Sequence, residues 1–172
     1  MQRLREGIRS AWSHLSPRSR YYRFGYVAGE LSRLQLDYLV DLDNRDRLAW
    51  CAAIEDGAET IGIGLARYVR LADEPEVAEF AVTVVDEHQH AGLGSLLLAR
   101  LLDSAARAGL AVLRGYVRRG NKAMIALARK YGGVEHLEDE WLRIDIPVSP
   151  DLPAREAEIR PADAPGDASR RS

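Results

Sequence analysis

A single cysteine, Cys51, stands in the whole sequence, so no internal disulfide braces it and the disulfide frameworks of small secreted domains are excluded. Histidine is scarce too, with only His14, His88, His90 and His136. There is no Cys-x-x-Cys and no His-Glu-x-x-His, so a metal centre lacks the three or four converging ligands it needs, and no metal is expected. No apolar run approaches the roughly 18 residues of a membrane span. The N-terminus also lacks the apolar core of a secretion signal. No membrane partner and a cytoplasmic location are the expectations. The net charge of −2 lacks the basic excess that nucleic-acid binding requires. Internal repeats are absent. Cys51 lies in the apolar run LAWCAAI and reads as a buried strand thiol.

What the sequence does have is the balance of one globular domain with a sizeable core: 172 residues, 47% apolar and 29% charged. Positive charge gathers at the start, where Arg3, Arg5, Arg9, Arg18, Arg20 and Arg23 face Glu6 alone. This reads as a solvated helix face, with a docking patch for an acidic partner as the alternative. Leu4, Ile8, Trp12 and Leu15 recur at helical spacing. Ser16 and Pro17 then suit the cap and first residue of a second helix, and Ser32 the cap of a third. From Arg47 the period changes to that of strands. RLAWCAAI and TIGIGLARYV flank an Asp56-Gly57 turn and read as a hairpin, with AEFAVTVV (Ala78–Val85) as the next strand. After the loop DEHQHAGLG, SLLLARLLDSAARAG reads as a helix from Ser95, apolar at Leu97, Leu98, Leu101, Leu102 and Ala105 and closed by Gly109. A strand LAVLRGYV, a helix NKAMIALARKYGG and a last strand WLRIDIPV complete an α/β domain over residues 1–148. Residues 149–172 are rich in Pro, Ala, Asp and Arg and read as a disordered tail, with a short possible edge strand near 157–160.

The loop HQHAGLGSLL carries the functional question. A phosphate-binding P-loop needs Gly-Lys-Ser/Thr, but Gly94 is followed directly by Ser95. A dinucleotide fingerprint needs a third glycine where Leu97 stands. Two readings remain from the residues alone. Either glycines and a helix N-terminus hold an anionic ligand through free amides, or the glycines merely start a helix.

Gln89-x-x-Gly92-x-Gly94 after a Val-rich strand resembles the acyl-CoA loop of the GNAT superfamily of N-acetyltransferases, Arg/Gln-x-x-Gly-x-Gly/Ala. The strand before it, the helix after it, the next strand and the Asn-containing helix follow in that family's order from about residue 47 to 148. LREGIRSAWSHLSPRSRYYRF, LDYLVDLDNRDRLAW and GLARYVR further resemble the catalytic domain of bacterial Pat-type protein lysine acetyltransferases, which modify acyl-CoA synthetases and related targets. The resemblance implies a single-domain GNAT fold: a central mixed, mostly antiparallel sheet flanked by helices. It implies acetyl-CoA as cosubstrate, its arm pairing with Val82, Thr83 and Val84. The amides of Gln89, His90, Ala91, Gly92, Leu93, Gly94 and Ser95 would take the pyrophosphate, and Asn121 would contact the arm.

A lysine acceptor with a pKa near ~10.4 is charged at neutral pH and needs a general base. Glu79 in AEFAV matches the family's glutamate base, and strand pleating puts it on one face with Ala81, Thr83 and Val85. Asp86 and Glu87 read as solvated loop carboxylates. The tyrosine that many relatives use to protonate the leaving thiolate is missing: Ala128 stands at its place, and neither Tyr131 nor Tyr116 is assigned the role. A second departure is that the family's opening Ile-Arg-Pro segment has its likeness at residues 157–164 (AEIRPADA). The expected function is acetyl transfer to a protein lysine by direct attack, with a small-amine acetyltransferase and a non-catalytic acyl-CoA-binding module as alternatives. Nothing marks an oligomeric interface.

Overall fold

The computed structural model describes residues 2–24, 29–57 and 59–149. The possible strand near 157–160 and most of the expected tail lie outside these residues. Helix α1 (Gln2–Ser13) carries the apolar stripe Ile8, Trp12 and, just beyond its end, Leu15, all buried. Helix α2 (Pro17–Phe24) starts where expected, and the Ser16 hydroxyl accepts the Ser19 N–H at 3.2 Å. Helix α3 (Arg33–Val40) is closed by a capping box, Ser32 and Gln35 each bonding the other's backbone N–H.

Strands β1 (Arg47–Asp56) and β2 (Glu59–Arg70) form the expected hairpin. Asp56 still pairs with Glu59, so the turn begins at Gly57 (φ 62°), one residue later than the Asp56-Gly57 reading. Next come β3 (Val77–Val84), a short helical turn at Asp86–His88, and helix α4 (Leu93–Arg107). β4 (Val112–Arg118), α5 (Lys122–Lys130), β5 (Val134–Glu138) and β6 (Trp141–Pro147) complete the order. β5 was not anticipated. It is an edge strand bonded only to β6 and mostly exposed, so it needs no apolar run. Helix α4 begins two residues before Ser95 because Gly92, at φ 85°, takes the cap position. Gly109 (φ 71°) follows its end as expected.

The six strands lie in the order β1-β2-β3-β4-β6-β5, and only β3 and β4 are parallel neighbours. The larger core joins one sheet face to α4 and α5, through Ala66, Tyr68, Ala78, Phe80, Leu113 and the anticipated leucines of α4. The opposite face, reached through Leu65, packs on Ile8, Leu36, Leu39 and Val40 of α1 and α3. Alternation therefore assigns the even residues of β3 to the α4 side and the odd ones, Glu79 included, to the α1–α3 side.

Cys51 corrects the expectation of a buried thiol. β1 is an edge strand of the sheet, and Cys51 is exposed beside a small apolar pocket under α1, whose walls desolvate the thiol and push its pKa up.

Candidate functional site

β3 and β4 pair only through Val77–Glu79 against Val112–Arg114 and then part. The side chain that stands at the parting is Phe80, 5% exposed, whose ring lies over Gly115. A Cβ at Gly115 would sit 2.7 Å from the Phe80 ring, so any other residue there must push the ring aside. Arg114 fixes the closed end of the opening through ion pairs with Asp145 (2.9 Å) and Glu74 (2.6 Å).

Beyond the parting lies a cavity of about 1010 Å³. Along its β3 wall the main chain alternates. The Val85 N–H donates to Ile63 of β2 and the Val77 carbonyl accepts from Leu71, so the odd residues turn their backbone to β2. The backbone of Val82 and the N–H of Val84 therefore face the opening, whereas Thr83 gives its backbone to β2 and lines the cavity with its side chain. The Val84 carbonyl accepts the Gln89 amide at 3.0 Å, and the same amide reaches the Ser19 hydroxyl at 3.3 Å. The Gln89 side chain is thus a brace for the loop.

At the loop, His90 (φ 62°) and Gly92 (φ 85°) are both left-handed, which turns the chain sharply into α4. The first helical bond is Leu96 N–H to the Gly92 carbonyl, which leaves the N–H groups of Leu93, Gly94 and Ser95 without intrahelical partners at the positive end of the dipole. His90, Gly92, Gly94 and Ser95 line the cavity. Ala91 is exposed and Leu93 turns into the core, and neither lines the cavity. Asn121 also lines the cavity, but its Oδ1 accepts the Met124 N–H (3.2 Å) and caps α5. Its NH₂ is left for another partner, as is the second lone pair of Oδ1.

Lys130 was missed in the sequence. It lines the cavity from the last turn of α5 and donates to the Ser95 hydroxyl at 3.1 Å, placing at the start of α4 the cation that the loop itself lacks. No local signal marks it, because its partner stands 35 residues away. Tyr131 donates to the Ser95 carbonyl (2.8 Å) and so braces the same turn.

Helix α2 lies across the opening: none of its residues is fully buried, as a solvated face implies, but several of them line the cavity. At one end Asp86 accepts from the Ser16 N–H (2.9 Å), the Ser16 hydroxyl (2.7 Å) and the Ser19 hydroxyl (2.9 Å). Burial alone would raise the Asp86 pKa, but these donors hold it below the ordinary carboxylate value, so Asp86 is an anchor rather than a solvated charge. At the other end the Tyr22 hydroxyl donates to the Gly120 carbonyl (3.0 Å), and the Arg118 guanidinium stacks between Tyr21 (4.4 Å) and Trp141 (4.2 Å). Arg18, Tyr22, Arg23 and Phe24 of α2 line the cavity together with Glu79. Glu79 sits at the last paired position of β3, with its side chain exposed on the α1–α3 side. Burial first, and then the charge of Arg67, press the Arg23 pKa down to about 10, which still leaves it protonated at neutral pH.

This opening combines a bare strand edge with a glycine turn and free helix amides. The family model described as acetyltransferase (GNAT) family matches residues 4–133. The chain belongs to the GNAT acetyltransferase family. It is 33% identical over 130 residues to an acetyltransferase of Pseudomonas aeruginosa, covering 76% of this chain and 69% of that one. To the acetyltransferase Pat of Mycolicibacterium smegmatis it is 34% identical over 128 residues, which cover 74% of this chain but only 36% of Pat. The solved GNAT domain of the S. lividans PAT superposes with a TM-score of 0.75 at 28% identity, covering 83% of this chain and 84% of that one. As a GNAT enzyme the protein takes its acyl group from acetyl-CoA. The residues present fit that donor: the bare edge of Val82–Val84 suits an amide-bearing arm, and the amides of 93–95 with Lys130 suit a pyrophosphate. Among the described residues no group of His, Cys, Asp and Glu is arranged to hold a metal ion, and no helix is long and apolar enough to cross a membrane.

Proposed function

We propose that this GNAT enzyme acetylates a lysine ε-amine of a protein by direct attack in a ternary complex, with Glu79 as general base. The observation that carries the reading is the position of Glu79: at the end of the β3–β4 pairing, on the face opposite α4, inside the cavity. Donor and acceptor then approach from opposite sides of the sheet and meet at the parting of the strands. The likeness to Pat and PAT supports a protein lysine as acceptor, and an acyl-CoA synthetase is the target class that this likeness suggests. Dependence on acetyl-CoA suits a cytoplasmic location.

Bound acetyl-CoA supplies an activated thioester. Val82 and Val84 would hold its arm along the strand edge, and the Val82 N–H, turned away from β2, would be a donor for charge developing on the carbonyl oxygen. Leu93, Gly94 and Ser95 amides hold the pyrophosphate with Lys130, while Gln89 keeps their loop in place. Glu79 takes the proton of the acceptor ammonium, a task worth about 10²–10⁴ in rate. No residue is assigned to protonate the leaving thiolate: Ala128 is buried and the Tyr131 hydroxyl is committed to Ser95, so CoA leaves as the thiolate or takes its proton from water.

Release of CoA with an acyl-CoA synthetase as acceptor, compared with polyamines and amino sugars, tests the substrate class. The expected result is faster release with the protein, with acetyl mapped to a lysine. Turnover of small amines alone would make the protein a small-amine acetyltransferase. Binding of acetyl-CoA without any transfer would make it a binding module.

A further inference from the structure

Arg67 is the one charged residue among the described side chains in the buried class, at 3% exposure. Its Nε and Nη2 have no hydrogen-bond partner among the described residues. These two atoms form one edge of the guanidinium, the fork that takes both oxygens of a carboxylate. The Tyr38 ring, 58% exposed, covers the flat face of the group with its centroid 4.3 Å away. β2 and β3 pair Arg67 with Ala81 and Val69 with Glu79, so Arg67 and Glu79 are diagonal neighbours on the α1–α3 face. Arg23, from α2, lines the cavity within electrostatic range of both, and makes no ion pair among the described residues. Two guanidinium groups thus stand beside the carboxylate of Glu79 on the acceptor side. Arg47, the next cation along the face, is already paired with Asp41. An unmatched buried charge is costly, and a bound anion removes the cost.

Resting on the reading of Glu79 as the acceptor-side base, we propose that Arg67 and Arg23 form a carboxylate subsite for the acceptor. The preferred acceptor lysine then has an acidic residue beside it. Arg23 meets the carboxylate at the cavity wall, and Arg67, which lies behind that wall, turns its Nε–Nη2 edge onto both oxygens while its face stays against Tyr38. The ammonium is left facing Glu79.

The test uses two lysine peptides that differ in one neighbour of the lysine, Glu or Gln. Their dissociation constants with the CoA-loaded protein and their kcat/KM with acetyl-CoA are measured on the wild type, Arg67→Met and Arg67→Lys. Arg23→Gln serves if Arg67→Met does not fold. The Glu peptide should bind about tenfold tighter to the wild type, the worth of one charge-assisted fork. The ratio should fall to near one in Arg67→Met and be partly kept in Arg67→Lys, with the KM for acetyl-CoA unchanged. Arg67→Met should also melt no lower than the wild type, because the unmatched charge is gone. A ratio near one in the wild type, or an unchanged ratio in Arg67→Met, overturns the subsite. A second pair, a free amino acid and its amide, separates this claim from the lysine reading. If only the amino acid is bound and acetylated, in an Arg67-dependent way, the protein-lysine reading fails while the subsite stands.

Discussion

Gly115→Ala puts a methyl group into the parting of β3 and β4. The new Cβ would lie 2.7, 3.0 and 3.4 Å from three carbons of the Phe80 ring. Ordinary carbon contacts need about 3.5–4.0 Å, so the ring must retreat by about 1 Å. It has little room to do so, being 5% exposed and packed in the main core with Tyr68, its cross-strand partner. Overpacking of this kind costs about 1–3 kcal/mol. Replacing a strand glycine returns about 0.5–1 kcal/mol. The net loss is about 1–2 kcal/mol, or about 3–6 °C in Tm. Displacing the β3 edge by about 1 Å at the point of transfer should also lower the acetylation rate on the order of 10²-fold. Urea denaturation and acetyl transfer to a fixed acceptor read the two effects. Adding Phe80→Leu should restore about 1 kcal/mol relative to the sum of the single changes. A Gly115→Ala protein as stable and active as the wild type would refute the role of Phe80 at the parting of the strands.

Asp86→Asn should cost about 1 kcal/mol at neutral pH, since it weakens the charged acceptor of the α2 anchor. The Asp86 pKa is depressed in the fold, so its contribution is present above the ordinary value of 3.8 and is lost as the pH falls through the lowered one. The gap between the two proteins in thermal melts should therefore close below 3.8; a gap that persists in acid would contradict the anchor. Lys130→Ala should raise the KM for acetyl-CoA about tenfold with kcat little changed, and flatten its dependence on salt; an unchanged KM would remove Lys130 from the pyrophosphate site.

Much of the fold was legible because its signals are local. Ser16-Pro17, Ser32 and Gly109 mark helix ends by their own chemistry, and the leucines of α4 by their spacing. The loop was legible for the same reason, since Gly92 supplies a left-handed residue that the turn requires. What escaped depends on contacts across the chain. Lys130 meets Ser95 only when α5 packs on α4, and Ser16 meets Asp86 only when α2 lies over the end of β3. β5 escaped because an edge strand needs no apolar pattern, and Cys51 was misjudged because strand composition does not tell an edge from a centre. Arg67 had no signal at all: a lone arginine in a strand looks exposed until its neighbours bury it.

Everything proposed for the acceptor side turns on Glu79 taking its proton at the parting of β3 and β4. The most direct measurement is the rate of acetyl transfer to one lysine acceptor across pH for the wild type and Glu79→Gln, at saturating acetyl-CoA. The variant should lose about 10²–10⁴ in rate at neutral pH, a loss that shrinks as the pH approaches the acceptor's own pKa of about 10.4. Glu79→Gln that keeps the wild-type rate from pH 6 to 8 would contradict it.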